Sequence, residues 1–421
     1  MKIGKRLATA FVLAGLGLLG GSLAGADIAK DWPQFRGPAR DNVSHETGLL
    51  KEWPKAGPPL AWKVKTVGNG YATVSIANGR IFTAGKIDDA SYVIALKEDD
   101  GSQLWKAKIG PGSDPDHRGP GPRATPTVDG DSVYALGETS DVVCVAAADG
   151  KEQWRANLNK DFGGKTPTWG NSDSLLVDEN NVYCTTGSRK GTVVALDKHT
   201  GKLVWQSKDL AEGIQYIPLV MAQIGGVTQI IASTDRTLAG LSPKDGSVLW
   251  RTPRKGRVAV IPTPIVHDNY VYVCAGYGEG ENLFKIDPDA GGKFKATQVY
   301  AKKNMVNHHG GVIYVDGNVY GYSDGKGWVC QDFLTGEAKW KDKDVCGKGT
   351  LAYADGRFYL RDENKGTLVL IEANPAKVVE HGRFNQPDRS QLNAWPHLVI
   401  ANGKLYVRDQ DLLLCYDVKA K

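Results

Sequence analysis

The sequence is poor in methionine and lacks both helical periodicity and several common enzyme motifs. Only 3 of its 421 residues are Met, and no long window after the N-terminus shows a 3.6-residue hydrophobic period. Cys pairs at zinc-finger spacing, an H-E-x-x-H motif and a phosphate-binding G-x-x-x-x-G-K-[ST] loop are all missing. These absences argue against a helical fold, a zinc protease and a P-loop nucleotidase. The 51 Gly and 11 Trp are instead typical of an all-β protein with many turns.

The N-terminus has the pattern of a secretory signal peptide. Lys2, Lys5 and Arg6 precede an apolar run over residues 7–19, and Ala24-Gly25-Ala26 is an A-x-A cleavage pattern. The apolar run is shorter than the roughly 20 residues that a membrane-spanning helix needs. No Cys follows the cleavage pattern, so we expect no lipid anchor; an uncleaved N-terminal anchor is the alternative. We therefore predict a signal peptide over 1–26, a leader segment over 27–57 and one domain over 58–421, in a periplasmic or secreted protein without membrane insertion after cleavage.

The predicted mature chain is almost neutral. Removing residues 1–26 takes away three of the 52 basic residues and no acidic residue, which leaves 49 Lys and Arg against 47 Asp and Glu. A nearly neutral chain has no excess of positive charge with which to hold a phosphate backbone. The sequence therefore predicts no nucleic-acid partner, and it carries no signal for an oligomeric state.

Six cysteines in an exported chain raise the question of disulfides. Cys144, Cys330 and Cys415 fall at one position of an internal repeat, where Ala95 stands in another copy. This pattern favours small buried thiols over cross-links. A single bridge between Cys330 and Cys346 is the alternative that the sequence leaves open.

A motif of the form small-x-Asp-x-x-x-Gly-x-x-x-Trp recurs along the chain. Its clearest copy runs over residues 195–201 and ends on Trp205. The Trp residues that end the copies are 49, 51, 45 and 90 positions apart, so the last gap predicts a degenerate copy, with Phe294 near the Trp position. A period of this length is typical of propeller blades. The other Gly and Trp pairs are Gly101 with Trp105, Gly150 with Trp154, Gly246 with Trp250, and Gly336 with Trp340.

The repeat units also predict how the ring closes. Eight units begin at Gly, Asn or Asp turns of the kind that join antiparallel strands, and the last ends at Cys415-Tyr416-Asp417 without a Trp strand. The missing strand is present near the start of the mature chain, over residues 59–64. We therefore predict an all-β, eight-bladed β-propeller of four-stranded antiparallel blades, closed by an N-terminal strand in the last blade. The Trp residues predicted to dock between blades, each burying about 200 Å², are Trp62, Trp105, Trp154, Trp205, Trp250 and Trp340.

The repeat resembles the tryptophan-docking motif of the pyrroloquinoline quinone (PQQ)-like repeat family, which includes the quinoprotein dehydrogenases. The segment 31–38, Asp-Trp-Pro-Gln-Phe-Arg-Gly-Pro, is similar to the leader of exported bacterial members. The β-barrel assembly propeller lipoprotein is similar in architecture. The resemblance covers essentially the whole mature chain and implies the propeller fold, but it says little about activity, because the family contains enzymes and non-enzymes.

The resemblance to quinoprotein dehydrogenases implies a set of cofactor ligands that can be sought in the sequence. Those enzymes commonly stack PQQ against a disulfide of two adjacent Cys and hold Ca²⁺ with acidic and amide side chains. No two Cys are adjacent here, and no cluster for the six to eight oxygens of a Ca²⁺ site is evident. We therefore predict no cofactor, metal or catalytic residue. The alternative is a PQQ- and Ca²⁺-dependent alcohol or sugar oxidoreductase that uses the central funnel.

Propellers carry functional side chains on the loops that precede their inner strands, around the central channel. Here those positions are rich in cationic and aromatic residues, which as a set suggest an anionic or sugar-like ligand or a partner peptide. Taken singly, each has a structural alternative: the Trp residues could plug the channel, and the Arg residues could pair with acids of a neighbouring blade. The predicted ring consists of Tyr71, Arg123, Trp169, Tyr216, Arg257, His308, His309 and Trp395.

These observations favour a non-catalytic binding or scaffold propeller of the bacterial envelope. Its partner would be another envelope protein or a small polar ligand. The adjacent pair His308-His309 could hold one metal ion only from a loop, because neighbouring residues on a strand point to opposite faces. We therefore assign the pair to the predicted ring and not to a metal site.

Overall fold

The computed structural model describes residues 31–113, 119–258, 260–289 and 293–420. The signal peptide predicted over 1–26 and the first residues of the predicted leader lie outside these ranges. The described residues form eight antiparallel β-sheets arranged as an eight-bladed propeller, which confirms the predicted fold class. One short helix, α1 (Leu158–Phe162), follows the second blade. No helix in the described ranges is long and apolar enough to cross a membrane.

The leader contributes β1 (Val43–Ser44), and the closing strand is β2 (Leu60–Val64). Blades 1 and 2 contain β3 (Ser75–Ala77), β4 (Arg80–Ile87), β5 (Ala90–Lys97) and β6 (Gln103–Pro111), then β7 (Thr127–Asp129), β8 (Ser132–Leu136), β9 (Asp141–Ala146) and β10 (Glu152–Asn157). Blades 3 and 4 contain β11 (Leu176–Val177), β12 (Asn181–Ser188), β13 (Gly191–Asp197) and β14 (Leu203–Gln206), then β15 (Val220–Ile224), β16 (Val227–Ser233), β17 (Thr237–Leu241) and β18 (Val248–Pro253).

Blades 5 and 6 contain β19 (Ile265–His267), β20 (Tyr270–Ala275), β21 (Gly280–Pro288) and β22 (Phe294–Lys302), then β23 (Val312–Val315), β24 (Asn318–Ser323), β25 (Gly327–Asp332) and β26 (Ala338–Asp342). Blade 7 contains β27 (Gly349–Ala354), β28 (Arg357–Asp362), β29 (Thr367–Glu372) and β30 (Glu380–Asn385). Blade 8 joins β31 (Val399–Ala401), β32 (Lys404–Asp409) and β33 (Leu412–Asp417) to β2. The first strands of several neighbouring blades contact one another, as expected of strands that surround a central axis.

The ring closes as the sequence predicts. Strand β2 pairs antiparallel with β33, and Trp62 lies opposite Cys415 in this register. The two ends of the chain therefore share blade 8, and neither end leaves a free sheet edge between the first and last blades. The six cysteines, all of them in the described ranges, are free thiols, so the alternative bridge between Cys330 and Cys346 is not formed.

The repeated Gly and Trp pack against each other across the blade boundaries. In the turn of blade 3, Asp197 accepts hydrogen bonds from the backbone N–H groups of His199 and Thr200, and Gly201 follows in the left-handed conformation with φ 69°. A Cβ at Gly201 would lie only 2.5 Å from the indole of Trp154, which belongs to blade 2. That Trp in turn donates its Nε1–H to the carbonyl of Lys198, at 2.8 Å. The motif thus needs Gly both for the turn and for the close approach of the indole.

The same bond recurs at most of the predicted docking positions. The indole N–H groups of Trp62, Trp105, Trp205 and Trp340 each donate to a backbone carbonyl of the next blade. Trp250 packs against blade 5 but donates within its own sheet, to Gln229 at 2.6 Å.

The docking residue of the degenerate blade 5 is Tyr300, and the expectation for Phe294 is wrong. The hydroxyl of Tyr300 donates to the carbonyl of Phe333 at 2.8 Å, and its ring occupies the space beside Gly336. Strand β22 is nine residues long, so the side chain that reaches the next blade lies near its end and not at its first residue. Fixed-offset counting from the repeat could not detect this shift.

The leader is built into the ring. Trp32 forms a β-bridge with Ile76 of blade 1, and Val43 and Ser44 pair in parallel with β27 of blade 7. Between these anchors the chain turns tightly, with left-handed φ angles of 63° at Arg36 and 58° at Arg40. Because these conformations are strained for residues other than Gly, their side-chain contacts must hold them in place. The leader thereby crosses the central channel and connects blades on both sides of it.

Candidate functional site

A cavity of about 230 Å³ opens at one mouth of the central channel. Seven of the eight residues predicted to form a ring line this cavity, namely Tyr71, Arg123, Trp169, Tyr216, His308, His309 and Trp395. Arg257 is exposed and does not line it, although its neighbour Val258 does. The structure therefore brings seven predicted side chains together around one space, and their role in binding a ligand stays a prediction.

Trp395 is the centre of the aromatic wall. Its ring lies 4.8 Å from that of Tyr71 and 6.2 Å from that of Trp169, measured between centroids. The guanidinium of Arg123 lies over the Tyr71 ring, 4.6 Å from its centroid, and its Nε donates to the Trp169 carbonyl at 2.5 Å. Aromatic rings in tilted and edge-to-face contact, with a cation over one of them, form a surface that suits flat or apolar ligands with an anionic group.

The two adjacent histidines have different partners. His309 Nε2 lies 2.9 Å from a carboxylate oxygen of Glu363, and that carboxylate also accepts the indole N–H of Trp395 at 2.6 Å. Burial by itself raises the pKa of Glu363, but the hydrogen bond and charge of His309 and the bond from Trp395 outweigh it, so the pKa lies below its usual value. Glu363 therefore fixes both the imidazole and the indole at the cavity wall.

His308 instead contacts Lys348, at 2.8 Å between its Nδ1 and the ammonium nitrogen, and Lys348 pairs with Asp324 at 2.8 Å. Burial, together with the positive charges of Lys348 and His309, lowers the pKa of His308 to about 4. The imidazole is thus neutral at physiological pH. The two His residues do not converge on a shared ion.

The floor of the cavity comes from the leader and from His397, just before β31, and it was not predicted. Phe35, Arg36 and His397 line it, with the rings of Phe35 and His397 5.1 Å apart in an edge-to-face arrangement. Arg36 is 1% exposed and donates through Nη2 to the carbonyls of Asp41 and Val312, at 2.9 and 2.7 Å. The sequence contained one indication of this floor, a cationic residue, Arg36, within the segment 31–38. That segment was expected to be only a leader.

Arg36 remains a cation in this setting. Burial lowers its pKa to about 10, although the nearby Asp41 acts in the opposite direction. Burial, followed by the charges of Arg36 and His309, lowers the pKa of His397 well below its usual value. The floor therefore presents one positive guanidinium beside a neutral imidazole.

Ser323 stands in a Gly-Tyr-Ser-Asp-Gly sequence over 321–325, which matches the G-x-S-x-G pattern of α/β-hydrolases. Its hydroxyl accepts a hydrogen bond from the backbone N–H of Val306 at 2.9 Å, and the residue is 0% exposed. The turn joins β24 to the antiparallel strand β25, whereas a nucleophile elbow joins a strand to a helix. The motif is therefore structural in this chain.

The described residues do not fit the quinone site of the dehydrogenases. No group of three or more His, Cys, Asp or Glu able to hold a metal ion occurs within the described ranges, and Ca²⁺ requires six to eight oxygens. Glu363, an acidic side chain at the aromatic wall, is already engaged by His309 and Trp395.

Comparison with known proteins identifies a family that this chain matches. Residues 89–342 match the model of the family described as outer membrane protein assembly factor BamB. A curated protein of that name from Kangiella koreensis is 27% identical over 180 residues, which span 42% of this chain and 42% of that relative. The matched relative is thus covered over less than half of its length.

Solved structures share the fold at low sequence identity. The crystal structure of BamB from Moraxella catarrhalis superposes with a TM-score of 0.61 at 16% identity, covering 87% of this chain and 99% of that one. Quinohemoprotein alcohol dehydrogenase from Comamonas testosteroni gives a TM-score of 0.64 at 12% identity, covering 94% and 82%. At such identities the likeness concerns the propeller architecture alone.

Proposed function

The chain belongs to the family described as outer membrane protein assembly factor BamB, and from this membership we propose that it is a non-catalytic scaffold propeller of the bacterial envelope. Its partner would be another envelope protein, engaged at the channel mouth. The observation that carries the proposal is the cavity itself, a concave aromatic surface held rigid by the blades around it. The mature protein, cleaved after Ala26, would lie in the periplasm or outside the cell.

The rim of the cavity also has the properties of a docking surface. Val258 and Tyr277 line the cavity and are 55% and 53% exposed, which is unusual for large apolar side chains beside a pocket. Tyr277 adopts a left-handed φ of 54° and packs edge-on against His308, with centroids 4.9 Å apart. A bulky residue held in this conformation at a rim supports a binding role, because such strain is retained where function requires it.

Site-specific photo-crosslinking tests the proposal. Benzoylphenylalanine in place of Val258 would lie at the mouth, and the same residue in place of Val299 would lie on the outer strand β22. Val299 is the matched control because it is a valine of similar exposure, 46%, far from the cavity lining. In cells of the source bacterium we expect Val258 to give one dominant adduct with an envelope protein and Val299 to give none.

Adducts of the same protein at equal yield from both positions, or from Val299 alone, would contradict docking at the mouth. Cell fractionation of the same strain checks the location, and N-terminal sequencing of the purified protein should begin at Asp27. A protein recovered from the cytoplasm with its first residues intact would contradict the proposed export.

A further inference from the structure

Three side chains of the mouth cavity carry buried nitrogen atoms that have no hydrogen-bond partner anywhere in the described ranges. They are Nε and Nη1 of Arg36, Nδ1 of His309 and Nδ1 of His397, and all three residues line the cavity. Buried polar groups in folded proteins are almost always hydrogen-bonded, and a buried charge without a partner is strongly unfavourable. The two unpaired nitrogen atoms of Arg36 can only donate, so the floor of the cavity offers hydrogen-bond donors to an acceptor atom of a ligand.

Arg36 is the decisive member of this set. Its two hydrogen bonds both go to backbone carbonyls, and no carboxylate in the described part of the chain forms an ion pair with it. Its Nη1 reaches the place where a Cβ of Gly311 would be, only 2.0 Å away, and that Gly has φ 76°. Glycine at 311 therefore leaves the space that the guanidinium occupies, and the leader is folded tightly to deliver this one cation to the floor.

The side chains of the cavity wall determine which chemical group of a ligand can lie next to an anion bound at Arg36. Trp169, Trp395 and Tyr71 present aromatic faces, while His308 and His397 are neutral for the reasons given above. At the floor, Arg36 is the guanidinium and its neighbour His397 is neutral, whereas the guanidinium of Arg123 lies at the wall, over the Tyr71 ring. The floor therefore matches a singly charged carboxylate better than a phosphate dianion, which needs several charged donors. Aromatic walls favour a flat or apolar group next to that carboxylate.

We propose that the mouth cavity binds a carboxylate carried beside an aromatic or apolar group, with the carboxylate on Arg36 and the apolar group against the wall formed by Trp169 and Trp395. The inference rests on the proposed function, since it names the chemistry recognised at the same mouth. Two sources supply this chemistry, a free aryl-alkanoic acid and the C-terminal end of a peptide whose last residue is aromatic.

The test compares each acid with its own amide. Indole-3-propionate and indole-3-propionamide represent the free acid, and N-acetyl-Ala-Ala-Phe with a free or amidated C-terminus represents the peptide. A charge-assisted hydrogen bond contributes enough for a preference of about tenfold or more. Isothermal titration of the full-length mature protein should therefore show at least about tenfold tighter binding of the acid in one pair, and the pair with the tighter acid identifies the source.

Two sets of variants locate the effect. Arg36→Gln removes the cation and should abolish the preference for the acid. Because Arg36 also braces the leader, a second set uses exposed Val258 at the rim: Val258→Glu should weaken the acid several-fold through charge repulsion, whereas Val258→Gln and the distant Val299→Glu should not.

Equal binding of acid and amide by the wild type, no binding in either pair, or an acid preference untouched by Arg36→Gln and Val258→Glu would each overturn the carboxylate site. A partner crosslinked at Val258 together with equal acid and amide binding would remove only this inference and leave the scaffold role standing. The two proposals can therefore fail separately.

Discussion

His308 shows how the surroundings of a single side chain set a pH dependence. Burial and the charges of Lys348 and His309 lower the pKa of its imidazole from the usual 6.5 to about 4. Between these two values the unfolded chain binds a proton at this position and the folded protein does not. Stability contributed by the neutral imidazole is therefore complete above about pH 6.5 and is lost as the pH falls toward 4.

The variant His308→Gln should lose less unfolding free energy than the wild type between pH 7 and pH 5, because it has no imidazole to protonate at this place. Urea unfolding followed by tryptophan fluorescence at the two pH values measures the difference. His199→Gln, at an exposed turn position, is the control and should lose as much as the wild type. The same loss in all three proteins would contradict the neutral state of His308.

At the residue scale the sequence predicted the walls of the cavity but not its floor. Tyr71, Trp169 and Trp395 were found because they precede inner strands, and the periodic repeat fixes where those strands begin. Arg36 was missed because its position depends on contacts with residues almost 280 positions later, such as Val312. Local periodicity carries no information about contacts of that range.

At the scale of elements, the leader acts as a cross-brace of the channel. Arg40 is 3% exposed and donates to the carbonyls of Ser174 and Leu175 before blade 3 and of Leu219 before blade 4. Asn42 donates to Leu351 in the inner strand of blade 7, at 2.5 Å. These bonds tie opposite sides of the ring to one short segment, in addition to the pairing of β1 with β27.

Arg40→Met keeps much of the side-chain length but leaves three buried carbonyls without their donor. Removing one partner from such a buried network costs about 3 kcal/mol or more. We expect Arg40→Met to lower the free energy of unfolding by about that amount in urea titrations. Arg236→Met is the control, because the Arg236 side chain is 79% exposed and its loss should change stability by less than about 0.5 kcal/mol. Equal midpoints for both variants would show that the leader does not brace the ring.

The elements that the sequence predicted are those with a repeated pattern. Strand β2 was placed in blade 8 because Trp62 completes the Trp periodicity of a unit that otherwise stops at Asp417. Strand β1 has two residues and no alternation of its own, so its parallel pairing with β27 had no sequence signal. The shift from Phe294 to Tyr300 in blade 5 has the same origin, since the repeat there is too degenerate to fix the offset.

At the scale of the whole molecule, closure and bracing produce a ring with one concave mouth. The blades present outer strands at the circumference, some with exposed apolar residues such as Leu203 and Val204, which are 49% and 51% exposed. Two kinds of surface are thus available to a partner, the mouth and the circumference. We assign recognition to the mouth, because buried unpaired nitrogen atoms, aromatic side chains and an exposed rim occur together there.

Amide hydrogen exchange, measured on the purified protein alone and with the partner identified by crosslinking at Val258, tests that assignment most directly. We expect slower exchange in the complex for the mouth segments 169–172, 260–263 and 308–311, with unchanged exchange in the outer strands β14 and β22. Slower exchange confined to the outer strands, with the mouth segments unaffected, would contradict it.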